Sequence, residues 1–91
     1  MGCILHIDGF GNLITNIKNE ELLPETRPIT VAVGNHVISG LSHTYAQGSG
    51  LIALLGSSGY LEIALKEGNA GALLEAETGS EVKLSIAGGK Q

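Results

Sequence analysis

The chain has little of several residue types on which small domains often depend. It has one cysteine, Cys3, so it cannot form an internal disulfide, and a secreted fold held by disulfides is excluded. A reducing, cytoplasmic compartment is therefore expected. Aromatic residues make up 3% of the chain and there is no tryptophan, although 43% of the residues are hydrophobic. The core must therefore be built from Ile, Leu, Val and Ala.

Basic residues are also scarce. Five Lys and Arg stand against nine Asp and Glu, which gives a formal net charge of −4. Because a nucleic-acid-binding surface must neutralise phosphates, we expect no nucleic-acid partner, although a nucleotide-sized ligand is compatible with this charge. No apolar run approaches the roughly 18 residues that a membrane-spanning helix needs, so we expect no membrane partner either.

The 91 residues are expected to form a single domain, residues 1–91. Short apolar or alternating segments, separated by turn residues, predict strands. The predicted strands are 3–7 (buried), 13–17, 29–33, 36–38, 44–46 (weak), 51–55, 60–66 and 81–86. This spacing predicts a mainly β fold, a small antiparallel β-barrel or sandwich of about six to seven strands with one short helix.

Turn and cap residues divide these segments. Gly34-Asn35 and Gly56-Ser57-Ser58-Gly59 predict hairpin turns. Asn69 can cap the short helix, which would run through Ala76 until Gly79 ends it. Asn19, followed by two glutamates, can cap a further single helical turn that Pro24 ends.

The segment Asp8-Gly9-Phe10-Gly11-Asn12 is the most informative part of the sequence. Its two glycines permit a tight turn and leave the backbone bare on both sides of Phe10. Asp8 could receive a ligand ammonium through charge-assisted hydrogen bonds, and Asn12 could bond the donor and acceptor at an adenine edge. A hairpin corner in which both side chains bond their own backbone explains the spacing equally well.

Other polar and aromatic residues could also contact a ligand. Gly56-Ser57-Ser58-Gly59 offers hydroxyl and N–H groups for a carboxylate or phosphate, although an ordinary polar loop has the same composition. Tyr45 and Tyr60 could each stack on a base or lie at the edge of the core. The three histidines are scattered, and no nucleophile is paired with a base and an orienting acid. We therefore predict neither a metal site nor a catalytic residue.

Four motifs in order resemble one family over nearly the whole chain. They are Ile7–Ile17, Gly40–Ala46, Leu55–Ala64 and Gly68-Asn69-Ala70. Together they are similar to the C-terminal domain of the S-adenosylmethionine (SAM) hydroxide adenosyltransferases, relatives of the fluorinase and the chlorinase. The resemblance implies a small SAM-binding β-barrel that follows an N-terminal α/β domain, which this sequence does not include.

The resemblance also implies an activity. In a SAM hydrolase, water or hydroxide displaces methionine at the ribose 5′ carbon and releases adenosine, with SAM as substrate and no cofactor. SAM would lie between this barrel and the N-terminal domain of a neighbouring subunit in a homotrimer. The expected partners are thus SAM, adenosine, methionine and that catalytic domain. The isolated chain is expected to be inactive, because the residues that activate water belong to the other domain.

The resemblance assigns four polar contacts by position. Asp8 matches the acid that holds the methionine ammonium, and Asn12 matches the amide that bonds the adenine. Ser57 matches the serine that binds the methionine carboxylate. Ser58 stands where the halogenating relatives carry an arginine, which favours hydrolysis over halogenation.

Three further positions match the surroundings of the adenine. Tyr45 falls where the family places an aromatic ring, and Leu65 and Ala70 match positions around the adenine pocket. Two extra residues separate Leu65 from Ala70 relative to the halogenases. The expected substrate-binding residues are Asp8, Phe10, Asn12, Tyr45, Ser57, Ser58, Leu65 and Ala70.

Two other functions are compatible with the sequence. An independent small barrel could bind nucleosides or oligonucleotides in the manner of an OB-fold, although the acidic charge and the few aromatic residues count against it. A barrel could also serve only to hold a trimer together, which the high apolar fraction favours.

Overall fold

The computed structural model of the protein describes residues 2–24, 27–41, 50–66 and 68–86. The elements are β1 (Gly2–Ile7), β2 (Leu13–Lys18), α1 (Asn19–Leu22), β3 (Ile29–Val33), β4 (His36–Ser39), β5 (Leu51–Leu55), β6 (Tyr60–Leu65), α2 (Ala70–Leu74) and β7 (Glu81–Ile86). The weak strand predicted at 44–46 lies outside the described residues.

The seven described strands form one antiparallel sheet in the order β4-β3-β7-β1-β2-β6-β5. The two edge strands, β4 and β5, approach each other, so the sheet curls into a nearly closed barrel. This confirms the predicted mainly β antiparallel fold. The described residues contain two short helices: the predicted short helix, and α1, which is the further single turn predicted before Pro24. Neither described helix is long and apolar enough to cross a membrane.

The core is aliphatic, as the composition requires. Residues on alternate positions of β3 and β6, together with Val82 of β7, point into the barrel and are shielded from solvent. The largest apolar side chains that are almost fully buried are Ile4, Leu13, Val31, Val33, Leu61, Ile63 and Val82. Full burial of each such side chain contributes about 1.5–3 kcal/mol.

Strand β1 departs from the buried strand predicted at 3–7. Ile4 is buried, but Leu5 is 49% exposed and His6 is exposed. The register of β1 on β2 shifts between Ile4 and His6, which marks a β-bulge or similar irregularity. A bulge interrupts the alternation of faces, and a continuous apolar run gives no sign of it.

Helix α2 confirms one predicted cap and corrects one predicted end. The Asn69 side chain accepts a hydrogen bond from the Ala72 N–H at 2.8 Å, as an N-cap does. The helix ends at Leu74, earlier than predicted, because Glu75 adopts the left-handed conformation with φ of 52°. A glutamate carries no sequence signal for that conformation, which usually belongs to glycine.

Strand β2 contains the buried polar side chain of the described core. Thr15 is 0% exposed, and its hydroxyl donates to the Leu61 carbonyl at 2.8 Å and accepts from the Ile17 N–H at 3.1 Å. The pairing of β2 with β6 shifts register between Ile14 and Lys18. The hydroxyl thus supplies hydrogen bonds where the regular ladder between the two strands is interrupted.

We expect Thr15→Val to lower the free energy of unfolding by about 1–3 kcal/mol, because it leaves a buried carbonyl and a buried N–H unpaired. Thr30→Val is the matched control, since Thr30 is half-buried on β3 and its hydroxyl bonds no described residue. Urea denaturation of both variants measures the difference. Equal losses in the two variants would contradict a special role for the Thr15 hydroxyl.

Candidate functional site

The loop between β1 and β2 closes on itself through the side chains of Asp8 and Asn12. Asp8 Oδ1 accepts hydrogen bonds from the Phe10 N–H at 2.9 Å and the Asn12 N–H at 3.0 Å, and Asp8 Oδ2 accepts from Asn12 Nδ2 at 3.2 Å. The Gly11 N–H donates to the Asp8 carbonyl at 2.9 Å, and the Asp8 N–H donates to the Asn12 carbonyl at 3.0 Å. These are the contacts that the hairpin-corner interpretation requires.

The same contacts leave both side chains able to bind a ligand. A carboxylate can accept about four hydrogen bonds, and those of Asp8 account for three. The Asn12 amide keeps one N–H and its oxygen, which is the donor and acceptor pair that an adenine edge needs. The corner and the ligand contact are therefore compatible.

The hydrogen bonds also keep Asp8 ionised. Partial burial acts to raise its pKa, but the N–H groups of Asn12 and Phe10, the Asn12 amide and the nearby His6 together hold the pKa of Asp8 below its usual value. A carboxylate is thus present at neutral pH at the mouth of this loop.

The start of α2 packs directly on the loop. The Gly71 N–H donates to the Gly11 carbonyl at 2.9 Å, and the Asn69 side chain occupies the space that a Cβ atom on Gly11 would need. Gly11 also has φ of 87°, which favours glycine. Ala70 is buried beside it with 0% exposure.

The tip of the β5–β6 hairpin forms the second part of the site. The Gly59 N–H donates to the Gly56 carbonyl at 3.1 Å, which closes the predicted turn with Ser57 and Ser58 exposed at its centre. The Ser58 hydroxyl donates to Glu62 Oε2 at 3.4 Å, a long hydrogen bond. The Ser57 hydroxyl bonds no described residue and is available to a ligand.

Glu62 connects the loop and the tip. It was not among the residues predicted from the sequence. Its carboxylate lies against Gly56, where a Cβ would overlap it. Burial raises the pKa of Glu62 and the charge of Asp8 raises it further, while the bond from Ser58 lowers it. Glu62 pairs with Ile14 near the loop end of β2, and its carboxylate contacts Ser58 and Gly56, so Glu62 lies between the loop and the tip. No local signal in the sequence points to a role for Glu62.

The remaining predicted residues take different places. Phe10 is 80% exposed at the outer side of the loop. Leu65 is half-buried at the end of β6, with its side chain close to Gly68. Tyr45 lies outside the described residues. Within the described ranges, no three His, Cys, Asp or Glu side chains come together as ligands for a metal ion.

Two clefts lie on the surface of the described residues. One, of about 380 Å³, is lined in part by Lys18, Asn19, Ser58 and Tyr60, and so borders the hairpin tip. A larger cleft, of about 440 Å³, lies between the β3–β4 turn and the end of α2 and contains none of the predicted site residues. The chemistry of the loop and tip, rather than cleft size, marks the candidate site.

Comparisons with known proteins found one matching family and similar solved structures. The family model described as SAM hydroxide adenosyltransferase C-terminal domain matches residues 2–83. An uncharacterized conserved protein from Thermotoga maritima has a similar structure, with a TM-score of 0.79 and 26% identity over 92% of this chain. A conserved hypothetical protein from Thermus thermophilus has a TM-score of 0.74 and 31% identity, also over 92% of this chain. The chain covers 35% and 34% of these two proteins, or about a third of their length.

Asp8 is the only aspartate in the chain, so its carboxyl carbon gives a single NMR signal that reports its pKa. We expect it to titrate below the value of about 3.9 found in unstructured peptides. In Asn12→Ala, which removes the amide donor, the titration should move upward. Asn35→Ala, in the β3–β4 turn, should leave it unchanged; an unmoved Asp8 pKa in Asn12→Ala would contradict the described bond.

The same pKa shift links stability to pH. Because folding lowers the Asp8 pKa, its contribution is present above the unfolded pKa and is lost as pH falls through the folded pKa. Asp8→Asn should therefore lose less stability than the parent chain between about pH 5 and pH 2. Urea denaturation across this pH range measures the free energy of unfolding of both proteins. The same pH dependence in both would contradict the contribution of Asp8.

We expect Gly11→Ala to lower the free energy of unfolding by about 1–2 kcal/mol or more, because an L-residue is strained at this φ and its Cβ must displace Asn69. Gly9→Ala is the control in the same loop, since a Cβ at Gly9 meets nothing within 4 Å. Thermal unfolding followed by circular dichroism compares the two. Similar melting temperatures would contradict the close packing of Asn69 against Gly11.

Proposed function

This chain belongs to the family of SAM hydroxide adenosyltransferase C-terminal domains, and we propose that it is the substrate-binding barrel of a SAM hydrolase. The reaction would convert SAM and water to adenosine and methionine. One observation carries the proposal: the Asp8–Asn12 loop presents an ionised carboxylate and a partly free carboxamide, and Glu62, which pairs with Ile14 soon after the loop, bonds a serine tip with unused donors. These groups suit the two ends of SAM.

In this proposal the methionine part of SAM lies between the loop and the tip. Asp8 receives the ammonium in its remaining acceptor position. Ser57, whose hydroxyl has no described partner, donates to the carboxylate together with the tip N–H groups. Ser58 contributes through its backbone while its hydroxyl bonds Glu62.

The adenine would bind at the α2 side of the loop. Asn12 bonds the adenine edge with its free N–H and oxygen, and Tyr45 stacks on the ring. Ala70 lies buried behind the loop, and Leu65 provides apolar surface at the end of β6. These contacts hold the ribose in a fixed direction, which is the contribution that a binding domain makes to a displacement reaction.

The rest of the site would come from another domain. The chain covers about a third of its solved relatives, and Phe10 is 80% exposed beside the loop. We propose that the N-terminal α/β domain of a neighbouring subunit covers this surface in a cytoplasmic homotrimer and activates the water. The isolated chain then binds weakly and does not turn SAM over.

The test is adenosine formation from SAM by the protein that carries this chain together with its α/β domain. We expect Asn12→Ala to raise KM about tenfold, which corresponds to about 1.4 kcal/mol of lost binding, with kcat within about twofold. Asn35→Ala, remote from the loop, should match the unaltered protein. Chromatography of adenosine and methionine measures both constants.

Two results would count against the proposed function. One is a two-domain protein that neither binds nor cleaves SAM. The other is tight, salt-sensitive binding of single-stranded oligonucleotides by the chain in fluorescence anisotropy, which would favour an OB-like function instead.

A further inference from the structure

Asn19 lies against the serine tip and bonds it at both ends. Its backbone N–H donates to the Gly59 carbonyl at 2.9 Å, and its Nδ2 donates to the Gly56 carbonyl at 2.8 Å. The sequence predicted Asn19 as a helix cap, and this prediction was wrong. Lys18 occupies the cap position of α1 without a side-chain hydrogen bond, because the Asn19 side chain crosses to the hairpin.

The position of the Asn19 side-chain amide does not stabilise helix α1. Asn19 Oδ1 is buried and has no hydrogen-bond partner in the described residues. A buried amide oxygen without a donor is unfavourable, whereas a residue at the helix start could cap it at no such cost. What the side chain does achieve is a short bond to the tip, 37 residues further along the chain.

These bonds determine which groups of the tip stay available. The Gly56 carbonyl accepts from Gly59 and from Asn19, and the Gly59 carbonyl accepts from Asn19. The N–H groups of Ser57 and Ser58 and the Ser57 hydroxyl bond no described residue. With its flanking carbonyls engaged, the tip presents donors, and an array of donors attracts an anionic oxygen.

We propose that Asn19 is a positioning residue, which fixes the Gly56–Gly59 tip so that its free donors hold the carboxylate of the substrate. This inference rests on the proposed function, since it needs a substrate with a carboxylate at the tip. Asn19 itself touches no substrate. Its effect passes through the Gly56 carbonyl to the two serines.

Comparing the binding of SAM and decarboxylated SAM distinguishes loss of the tip's position from a general loss of protein stability. Decarboxylated SAM keeps the adenosine, sulfonium and amine of SAM and lacks the carboxylate. In the two-domain protein, we expect Asn19→Ala to weaken SAM binding about tenfold and decarboxylated SAM binding less than about twofold, as measured by calorimetry. Asn19→Asp, which keeps the shape but not the donor, should weaken SAM at least as much. With saturating SAM, kcat should stay within about twofold.

Asn16→Ala is the matched control. Asn16 also bonds backbone through its amide, accepting from the Cys3 N–H at 2.9 Å, but on the β1 side of β2. This variant should change the affinity for neither ligand. Equal weakening of both ligands by Asn19→Ala, or no weakening of either, would overturn the proposal.

Hydrogen exchange of the 91-residue chain tests, without a ligand, whether Asn19 holds the Gly56–Gly59 tip in place. The Gly59 amide is bonded within the tip, and we expect it to exchange about tenfold faster in Asn19→Ala but not in Asn16→Ala. Unchanged exchange would show that Asn19 does not hold the tip. If instead the tip loosens but the unaltered two-domain protein binds no SAM, the proposed function fails and the carboxylate role fails with it.

Discussion

The register of β2 on β6 shifts along the pair, and the buried Thr15 hydroxyl supplies hydrogen bonds where regular backbone pairing is interrupted. The arrangement of the candidate site depends on this shift. Ile14 pairs with Glu62, yet Lys18 pairs with Tyr60, so four steps along β2 correspond to two along β6. Extra residues of this kind mark a bulge or a similar irregularity, and bulges bend the strand that carries them. As a result Asn19, which follows β2, reaches the hairpin tip, while the start of the same strand stays beside the Asp8 loop.

The carboxylates of Asp8, in the loop, and of Glu62, which pairs with Ile14 soon after the loop, are held in different ways. Asp8 accepts three hydrogen bonds from its own loop, so its charge is stabilised. Glu62 has a single long bond from Ser58 and lies closer to the interior, so burial and the charge of Asp8 both disfavour its ionised form. A ligand with positive charge would relieve this repulsion. The ammonium and sulfonium of the proposed substrate have that charge.

Local chemistry made much of this molecule predictable. The hairpin turns at Gly34-Asn35 and at the serine tip, together with the Asn69 cap, follow from residues within a few positions of one another. The bulges in β1 and β2 and the reach of Asn19 to Gly56 depend on contacts between distant segments. Asn19 illustrates the limit. Its cap signal was sound as local chemistry, but a tertiary contact competed for the same amide.

Under the proposed function, the exposed polar groups of this domain would bind the substrate. Buried ligand sites commonly cover most of the surface of a small molecule. Here Asp8, Asn12 and Ser57, the polar groups proposed to contact SAM, lie on a loop and a turn, and Phe10 in the same loop is 80% exposed. Asp8 accepts three hydrogen bonds from its own loop, and Glu62 accepts one from Ser58, so both carboxylates help to order the polar groups around them. A rigid barrel that presents pre-ordered polar groups on one open face is suited to holding one side of a substrate. Under the proposed function, a second surface would hold the other side of SAM and the reacting water.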